Sequence, residues 1–513
     1  MKNILALLLL SQLSTFAQPS ILWENSFGGK YTDYGADIIE VENGNYLVLN
    51  MPYSNGGDVL NSHGGADFWL LKLNHSGELI WQRCYGGTKD DEPKKIIPTL
   101  DGNYLLIGST KSNDGNVTAN HGWTDAWIIK IDPNGGIIWQ KTYGGTNFDA
   151  AHTITPAHNG GYVVTGSSYS ADFDVPNSNK GISDLWAFKI DENGTLLWSK
   201  LYGGNFYDDP GSVLSTVDGG YIFAGSSSST NGDGLGNHGD SDSWVIKVDS
   251  IGTKQWVKVF GGEDNDVCTG VVTLDDGGYL VLNMSASKLG SFNENHGGFD
   301  FWLYELSSTG GFIWQKFYGG TQMDLPSGIK KLTNGYYILW GHAQSADGDL
   351  VGNLGPNAWM VCINQAGDII WKRTYGGTQS DQFSSLVESG DGSITVVGHS
   401  GSNDGDVQSG GGPSNAGDVW VVHFDQTTSV KDPNAEQIIF NISPNPASNN
   451  IELTTKDGYN NGMISISTVN GILVQSQTVS LAQKVDISGL AAGAYIIKLE
   501  LDGKVGYGKL IKI

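Results

Sequence analysis

The sequence predicts an all-β chain: a seven-bladed β-propeller of four-stranded blades, its last blade closed by the N-terminal strand, followed by a small C-terminal β-sandwich. Three observations predict it. Trp23, Trp81, Trp139, Trp198, Trp256, Trp314 and Trp371 recur every 57 to 59 residues, and each is followed by an aromatic residue and Gly-Gly, from Phe27-Gly28-Gly29 to Tyr375-Gly376-Gly377. A second series, Trp69, Trp127, Trp186, Trp244, Trp302, Trp359 and Trp420, runs in step with the first. Between them lie short apolar runs joined by Asn-Gly and Asp-Gly turns, the signature of tight hairpins.

Taken in chain order, residues 1–17 read as a secretory leader: Lys2, an apolar run from Ile4 to Leu10, and small residues ending at Ala17. One repeat then shows the blade. Ala151 to Thr155 is a strand, His158-Asn159-Gly160-Gly161 a turn, Tyr162 to Gly166 a second strand, and a long polar loop follows. Leu185 to Ile190 is a third strand, Asp191-Glu192-Asn193-Gly194 a turn, and Leu196 to Tyr202 a fourth. The array starts at Ile21-Leu22-Trp23, a fourth strand, and ends at Val419 to Phe424, a third. Pairing these ends closes the ring over residues 18–425 without an open edge. Residues 426–437 form a polar linker, and residues 438–513, without Trp and with alternating polarity, form the sandwich.

Composition narrows the function. The 73 Gly come with 39% apolar residues and no collagen period, which excludes fibrous and disordered classes. Of 29 basic and 54 acidic residues, seven of each fall in residues 431–513 and Lys2 lies in the leader. Residues 18–430 therefore carry 21 and 47, a net charge of −26. Such a surface does not attract nucleic acid or anionic membrane. No segment after the leader is long enough to span a bilayer as a helix. Cys84, Cys268 and Cys362 make no disulfide framework and read as small apolar residues in three different strands.

The C-terminal region carries Ser443-Pro444-Asn445-Pro446, then Leu490-Ala491-Ala492-Gly493-Ala494-Tyr495, then a terminal Lys509-Leu510-Ile511-Lys512-Ile513. These motifs closely resemble the type A sorting domain of the type IX secretion system of Bacteroidota. The resemblance implies recognition by the secretion machinery, with Pro444, Asn445, Pro446, Gly493, Tyr495, Lys509 and Lys512 as motif residues. It further implies removal by a sortase-like peptidase, and attachment to the cell surface or release. The repeats resemble the tandem propellers of exported bacterial proteins. The turn Asp132-Pro133-Asn134-Gly135 before Trp139 also resembles the docking motif of pyrroloquinoline quinone propellers. Those have eight blades and often adjacent Cys, both missing here, so that cofactor is set aside.

Candidate site residues fall into five groups. An Asp stands five residues after the first Gly of each pair: Asp33, Asp91, Asp149, Asp208, Asp266, Asp324 and Asp381. A second ring, Asp67, Asp125, Asp184, Asp242, Asp300, Asn357 and Asp418, stands two before the second Trp. Propeller topology puts both rings on one face, where repetition in every blade favours loop fixing over catalysis. The long loops place Asp114 with Asn116, Asp172 with Asp174, Asp347 with Asp349, and Asp404 with Asp406 across a turn, a spacing of oxygens compatible with Ca²⁺. His63, His121, His238 and His296 each precede a second-ring Asp by four residues. Departures from the repeat are the remaining group: Trp123, Tyr207, Asp209, Glu263, Asp264, Trp340, His342 and His399.

The combined reading is an exported propeller that binds or adheres to an extracellular glycan or protein. A polysaccharide hydrolase using carboxylates on the loop-rich face is the enzymatic alternative, and a purely structural surface protein is the third.

Overall fold

The computed structural model describes residues 18–53, 55–287, 295–408, 417–425, 440–455, 461–468, 473–480, 484–491, 493–501 and 504–513. The expected leader at 1–17 and linker at 426–437 lie outside these residues. Contacts divide the chain into two units, one of them residues 18–428.

In that unit, seven four-stranded antiparallel sheets follow one another. Blades 1 to 6 are residues 33–85, 91–143, 149–202, 208–260, 266–318 and 324–375, each with its strands in sequence order. Blade 7 takes three strands from residues 381–424, and its fourth is Ile21–Phe27, paired antiparallel with Asp418–Phe424. Asp425 N–H donates to Ser20 O at 3.0 Å, and Ser20 N–H returns a bond to Asp425 Oδ1 at 2.7 Å. The ring is closed as the sequence predicts, so blade 7 has four strands like the others and Asp418–Phe424 is not left as an open edge.

Burial follows from this order. First strands pack against the first strands of adjacent blades around the axis. Third strands such as Asp184–Ile190 are buried along their whole length, because blades cover both faces. Fourth strands lie at the rim and stay half-exposed, as in Leu196–Tyr202. The third-strand Trp residues are the largest fully buried side chains of the unit. In blades 1, 2, 5 and 7 the indole N–H finds an acceptor on the rim strand: Gln82 and Gln140 at 2.8 Å, Gln315 at 3.1 Å, and, across the closure, Glu24 for Trp420 at 3.0 Å.

Successive blades are also stitched at the rim. The Tyr before Gly-Gly donates its hydroxyl to a turn carbonyl of the next blade: Tyr85 to Gly135 at 2.8 Å, Tyr143 to Gly194 and Tyr202 to Gly252 at 2.5 Å, and Tyr318 to Gly367 at 2.6 Å. The rim Trp lies under the same turn, for example Trp139 beneath Gly194.

The C-terminal unit is described separately. A three-stranded sheet (Phe440–Ser443, Asn450–Thr455, Lys484–Asp486) and a four-stranded sheet (Leu473–Ser480, Asn461–Thr468, Gly493–Leu501, Lys504–Lys512) share one core. Ile451, Leu453 and Val485 from the first meet Ile464, Ile466, Ile497 and Leu499 from the second, which makes the unit a sandwich.

Candidate functional site

Both acidic rings begin strands on the same face. The first-ring Asp is the first residue of each inner strand and is fully buried. In all seven blades its Oδ2 accepts the N–H of the second Gly of the preceding pair, at 2.7 to 2.9 Å. Hydroxyls complete the bracket in blade after blade: Thr110 and Ser112 on Asp91, Ser168 and Ser170 on Asp149, Ser227 and Ser229 on Asp208, Ser400 and Ser402 on Asp381. Each first-ring carboxylate thus fixes the corner that joins two blades.

The second-ring acid starts the third strand. Asp67, Asp125, Asp242 and Asp300 each accept the backbone N–H of His63, His121, His238 or His296, at 2.7 to 2.8 Å, and face its Nδ1 at 3.0 to 3.1 Å. The four His therefore serve four separate loops and do not converge. The other carboxylate oxygen of these Asp residues, and of Asp184, is buried without a conventional donor. It faces the first Gly of the corner: a Cβ on Gly86 would lie 2.3 Å from Asp67 Oδ1 and 2.7 Å from Asp91 Oδ2. Burial raises both members of most pairs, with the neighbouring carboxylate adding to it, and pushes Asp184, Asp266 and Asp300 up to about 6.

The loop residues considered for calcium are engaged elsewhere. Asp114 accepts Thr88 N–H and Oγ1–H at 2.8 Å, while Asn116 accepts Gly86 N–H at 3.1 Å. Asp172 holds Thr146 and Asp174 holds Gly144 in the same way. Asp347 with Asp349, and Asp404 with Asp406, repeat the clamp on Thr321 and Gly319, and on Thr378 and Gly376. Lys372 and Arg373 add ion pairs to Asp349 and Asp406. These oxygens face N–H and O–H donors of the preceding corner. Among the described residues no group of three or more His, Cys, Asp or Glu side chains is placed to hold a metal ion.

The departures from the repeat separate into packed and exposed residues. Trp340 is buried, with its indole N–H donating to Ser384 O at 3.1 Å, and His342 is buried against Asp381 O at 2.9 Å. His399 stacks on Tyr34 at 4.9 Å. Asp209 accepts Ser167 Oγ–H at 2.9 Å. Glu263 and Asp264 are exposed.

Trp123 and Tyr207, by contrast, belong to an apolar row. Trp123 is 83% exposed, and Phe148, Tyr169, Ile182, Phe206 and Tyr207 are each more than a third exposed. Short parallel bridges join Thr124 to Phe148 and Ser183 to Tyr207, which sets these residues at the junctions of blades 2 and 3 and of blades 3 and 4. Phe148 and Tyr169 meet edge to face at 5.6 Å. Phe173, 69% exposed, reaches from the blade 3 loop to His121 at 5.3 Å. Sequence reasoning singled out only Trp123 and Tyr207. Phe148, Tyr169, Ile182 and Phe206 escaped it, although comparing repeats position by position exposes the signal. Where blades 2 and 3 carry Trp123 and Ile182, others carry Gly65, Asp240, Gly298 and Gly355.

In the C-terminal unit the three short motifs meet. Ile511 N–H donates to Asn445 Oδ1 at 2.8 Å, across 66 residues of sequence, and Ala447 pairs with Lys512. Gly493 faces Lys512 and Tyr495 faces Leu510 in the ladder, and the Tyr495 hydroxyl donates to Ala491 O at 2.9 Å. Pro444 and Pro446 flank the Asn445 latch, and Lys509 pairs with Ile496. Residues 441–513 match the family described as "Secretion system C-terminal sorting domain". They are a type IX sorting domain. The sorting domain directs the chain to the cell surface or extracellular space. Among the described residues no helix is long and apolar enough to cross a membrane.

Beyond the sorting domain, a stretch of 183 residues is 28% identical to "Regulatory protein FlaEY" of Caulobacter vibrioides, covering 32% of this chain and only 18% of that protein. Among solved structures, the Pan2 WD40 domain of Neurospora crassa aligns at 8% identity and TM-score 0.44, over 79% of this chain and 95% of its own. Sqt1 of Chaetomium thermophilum aligns at 9% and 0.40, over 79% and 99%. A puromycin hydrolase aligns at 11% and 0.43, over 92% and 60%. At these scores the propeller assignment rests on the strand pairing, and no activity transfers.

Proposed function

We propose that the exported propeller is a non-catalytic binding module that engages an extracellular ligand through the loop-bearing face of blades 2 to 4. The observation that carries this reading is the row of exposed rings from Trp123 to Tyr207. Contiguous apolar side chains on an exported surface are a cost unless a partner covers them, and aromatic residues supply the strongest anchors at binding sites. Against hydrolysis stand the two acidic rings. They are buried and repeat around the ring with one amide exception, Asn357, whereas a reacting centre needs accessible groups in a local, asymmetric arrangement. The sorting domain hands the chain to the secretion machinery, and removal by a sortase-like peptidase would complete delivery.

The test uses the full chain and a Trp123→Ala/Tyr207→Ala variant, both checked for unchanged melting. They are assayed for binding to arrayed glycans and extracellular proteins, with reducing-end release followed in parallel. Loss of a specific interaction in the variant, without product formation, is expected. Sugar release by the intact chain would replace the binding reading with the enzymatic one.

A further inference from the structure

Three third strands carry a buried lysine at the same place, opposite the rim Trp: Lys130 in blade 2, Lys189 in blade 3 and Lys247 in blade 4, each 4% exposed. Each ammonium reaches the turn between the first and second strands of its own blade. In blades 2 and 4 it finds a carboxylate there: Lys130 pairs with Asp101 at 2.7 Å, and Lys247 with Asp218 at 2.8 Å. The Lys130 hydrogen bond, helped by Thr99, holds the Asp101 carboxyl well below the usual carboxylate range. In blade 3 the same position, three residues before the second strand, is Asn159. Lys189 Nζ donates to Asn159 Oδ1, and burial holds the amine below the ordinary lysine value. Blade 3 therefore buries the lysine of its neighbours against a neutral amide, where a carboxylate would balance the charge.

Asn159 is followed by Gly160. In an Asn-Gly pair the next backbone nitrogen can close on the side-chain carbonyl carbon, because no Cβ stands in its way. Gly160 is exposed with φ 83°, and a Cβ built on it would meet nothing within 4 Å. Its N–H donates to Ala157 O at 3.1 Å, the same turn bond that Gly335 makes to Leu332 O at 3.0 Å in blade 6. There Asn334-Gly335 repeats the dipeptide, but Cys362 stands at the lysine position and Asn334 Oδ1 accepts Tyr336 N–H at 2.9 Å. The turn is shared; the ammonium on the amide oxygen is what sets Asn159 apart.

We infer that Asn159 is a self-modification site, deamidated to aspartate with Lys189 as the group that activates its amide. The Gly160 nitrogen bonds to Asn159 Cγ and gives up its proton. The Cγ–Nδ2 bond breaks, and the amide nitrogen leaves with that proton as ammonia. Water then opens the five-membered imide at Cγ, which restores the main chain and leaves a side-chain carboxylate. Water is the only co-reactant and nothing is oxidised or reduced. Lys189 faces the oxygen on which negative charge gathers as Cγ becomes tetrahedral, and such a donor lowers the barrier. The product has its template in the molecule, since blades 2 and 4 already hold a carboxylate on this lysine at this turn.

The experiment incubates the full chain at neutral pH and follows the peptides containing Asn159 and Asn334 by mass spectrometry, as a gain of about 1 Da on deamidation. Asn159 is expected to convert about tenfold faster than Asn334, and Lys189→Met, which keeps the apolar stem, to slow it about tenfold. Loosening of the blade by that substitution would act in the opposite direction, speeding both Asn159 and the neighbouring Asn193-Gly194, so the sign separates activation from unfolding. Asn159→Asp is expected to melt about 2 °C higher than the parent chain, through the completed ion pair. Equal rates at Asn159 and Asn334, an unchanged or faster rate in Lys189→Met, or a lower Tm for Asn159→Asp would overturn the proposal.

Discussion

Gly86 shows at residue scale why the repeat is written as it is. Its α-hydrogens sit where Asp67 and Asp91 converge, and the same is seen at Gly144, Gly203, Gly261 and Gly319 with their own pairs. Close approach, rather than a turn conformation, requires the glycine, and a weak Cα–H···O contact is what the otherwise undonated Asp67 oxygen receives. Gly86→Ala would drive a methyl to 2.3 Å from that oxygen and is expected to cost about 2 kcal/mol in urea unfolding. The paired acids also set a pH dependence. Asp184, Asp266 and Asp300 reach about 6 in the folded chain against an ordinary 3.8. Between those values the folded state holds protons that the unfolded chain has released, so stability rises as pH falls through this window and levels off below it. Melting should therefore occur a few degrees higher at about pH 5 than at about pH 7.5. Asp300→Asn, which copies the Asn357 of blade 6, should flatten part of that slope without loss of fold.

At the scale of strands and loops, most of the fold was legible because hairpin turns and Trp spacing are local signals. The partners of the acidic residues were less so. Asp114 and Asn116 have a spacing compatible with a cation, yet in the fold their oxygens meet Thr88 and Gly86 of the preceding corner, a contact between segments more than twenty residues apart. Loops held this way need no metal for their shape, so the prediction is that neither calcium nor a chelator shifts Tm by more than about 1 °C. A large calcium-dependent rise would assign these carboxylates to ion binding instead. The rim stitch was likewise hidden. Tyr143→Phe should cost about 1 kcal/mol through the lost bond to Gly194, with the ring packing retained, since Phe27 and Phe260 already occupy this position.

For the whole molecule, closure is the decisive contact. Ile21–Phe27 supplies the last strand of blade 7 from the opposite end of the propeller, so any leader cleavage must leave it intact. Deleting residues 18–27 should expose the edge of Asp418–Phe424, replace the single cooperative transition by a broad one, and promote self-association visible in light scattering. By itself the sequence determined the repeat, the number of blades, the closure and the sorting motifs, because each is an arrangement of residues at fixed spacing along the chain. Only the tertiary structure decided which aromatic residues stay in water. Trp340 and Trp123 are both departures from the repeat, yet one is buried beside Ser384 and the other lies open at the blade 2–3 junction, where Thr124 bridges to Phe148. Exposure is fixed by which segments the ring brings together, and those segments are distant in the chain; spacing cannot report it.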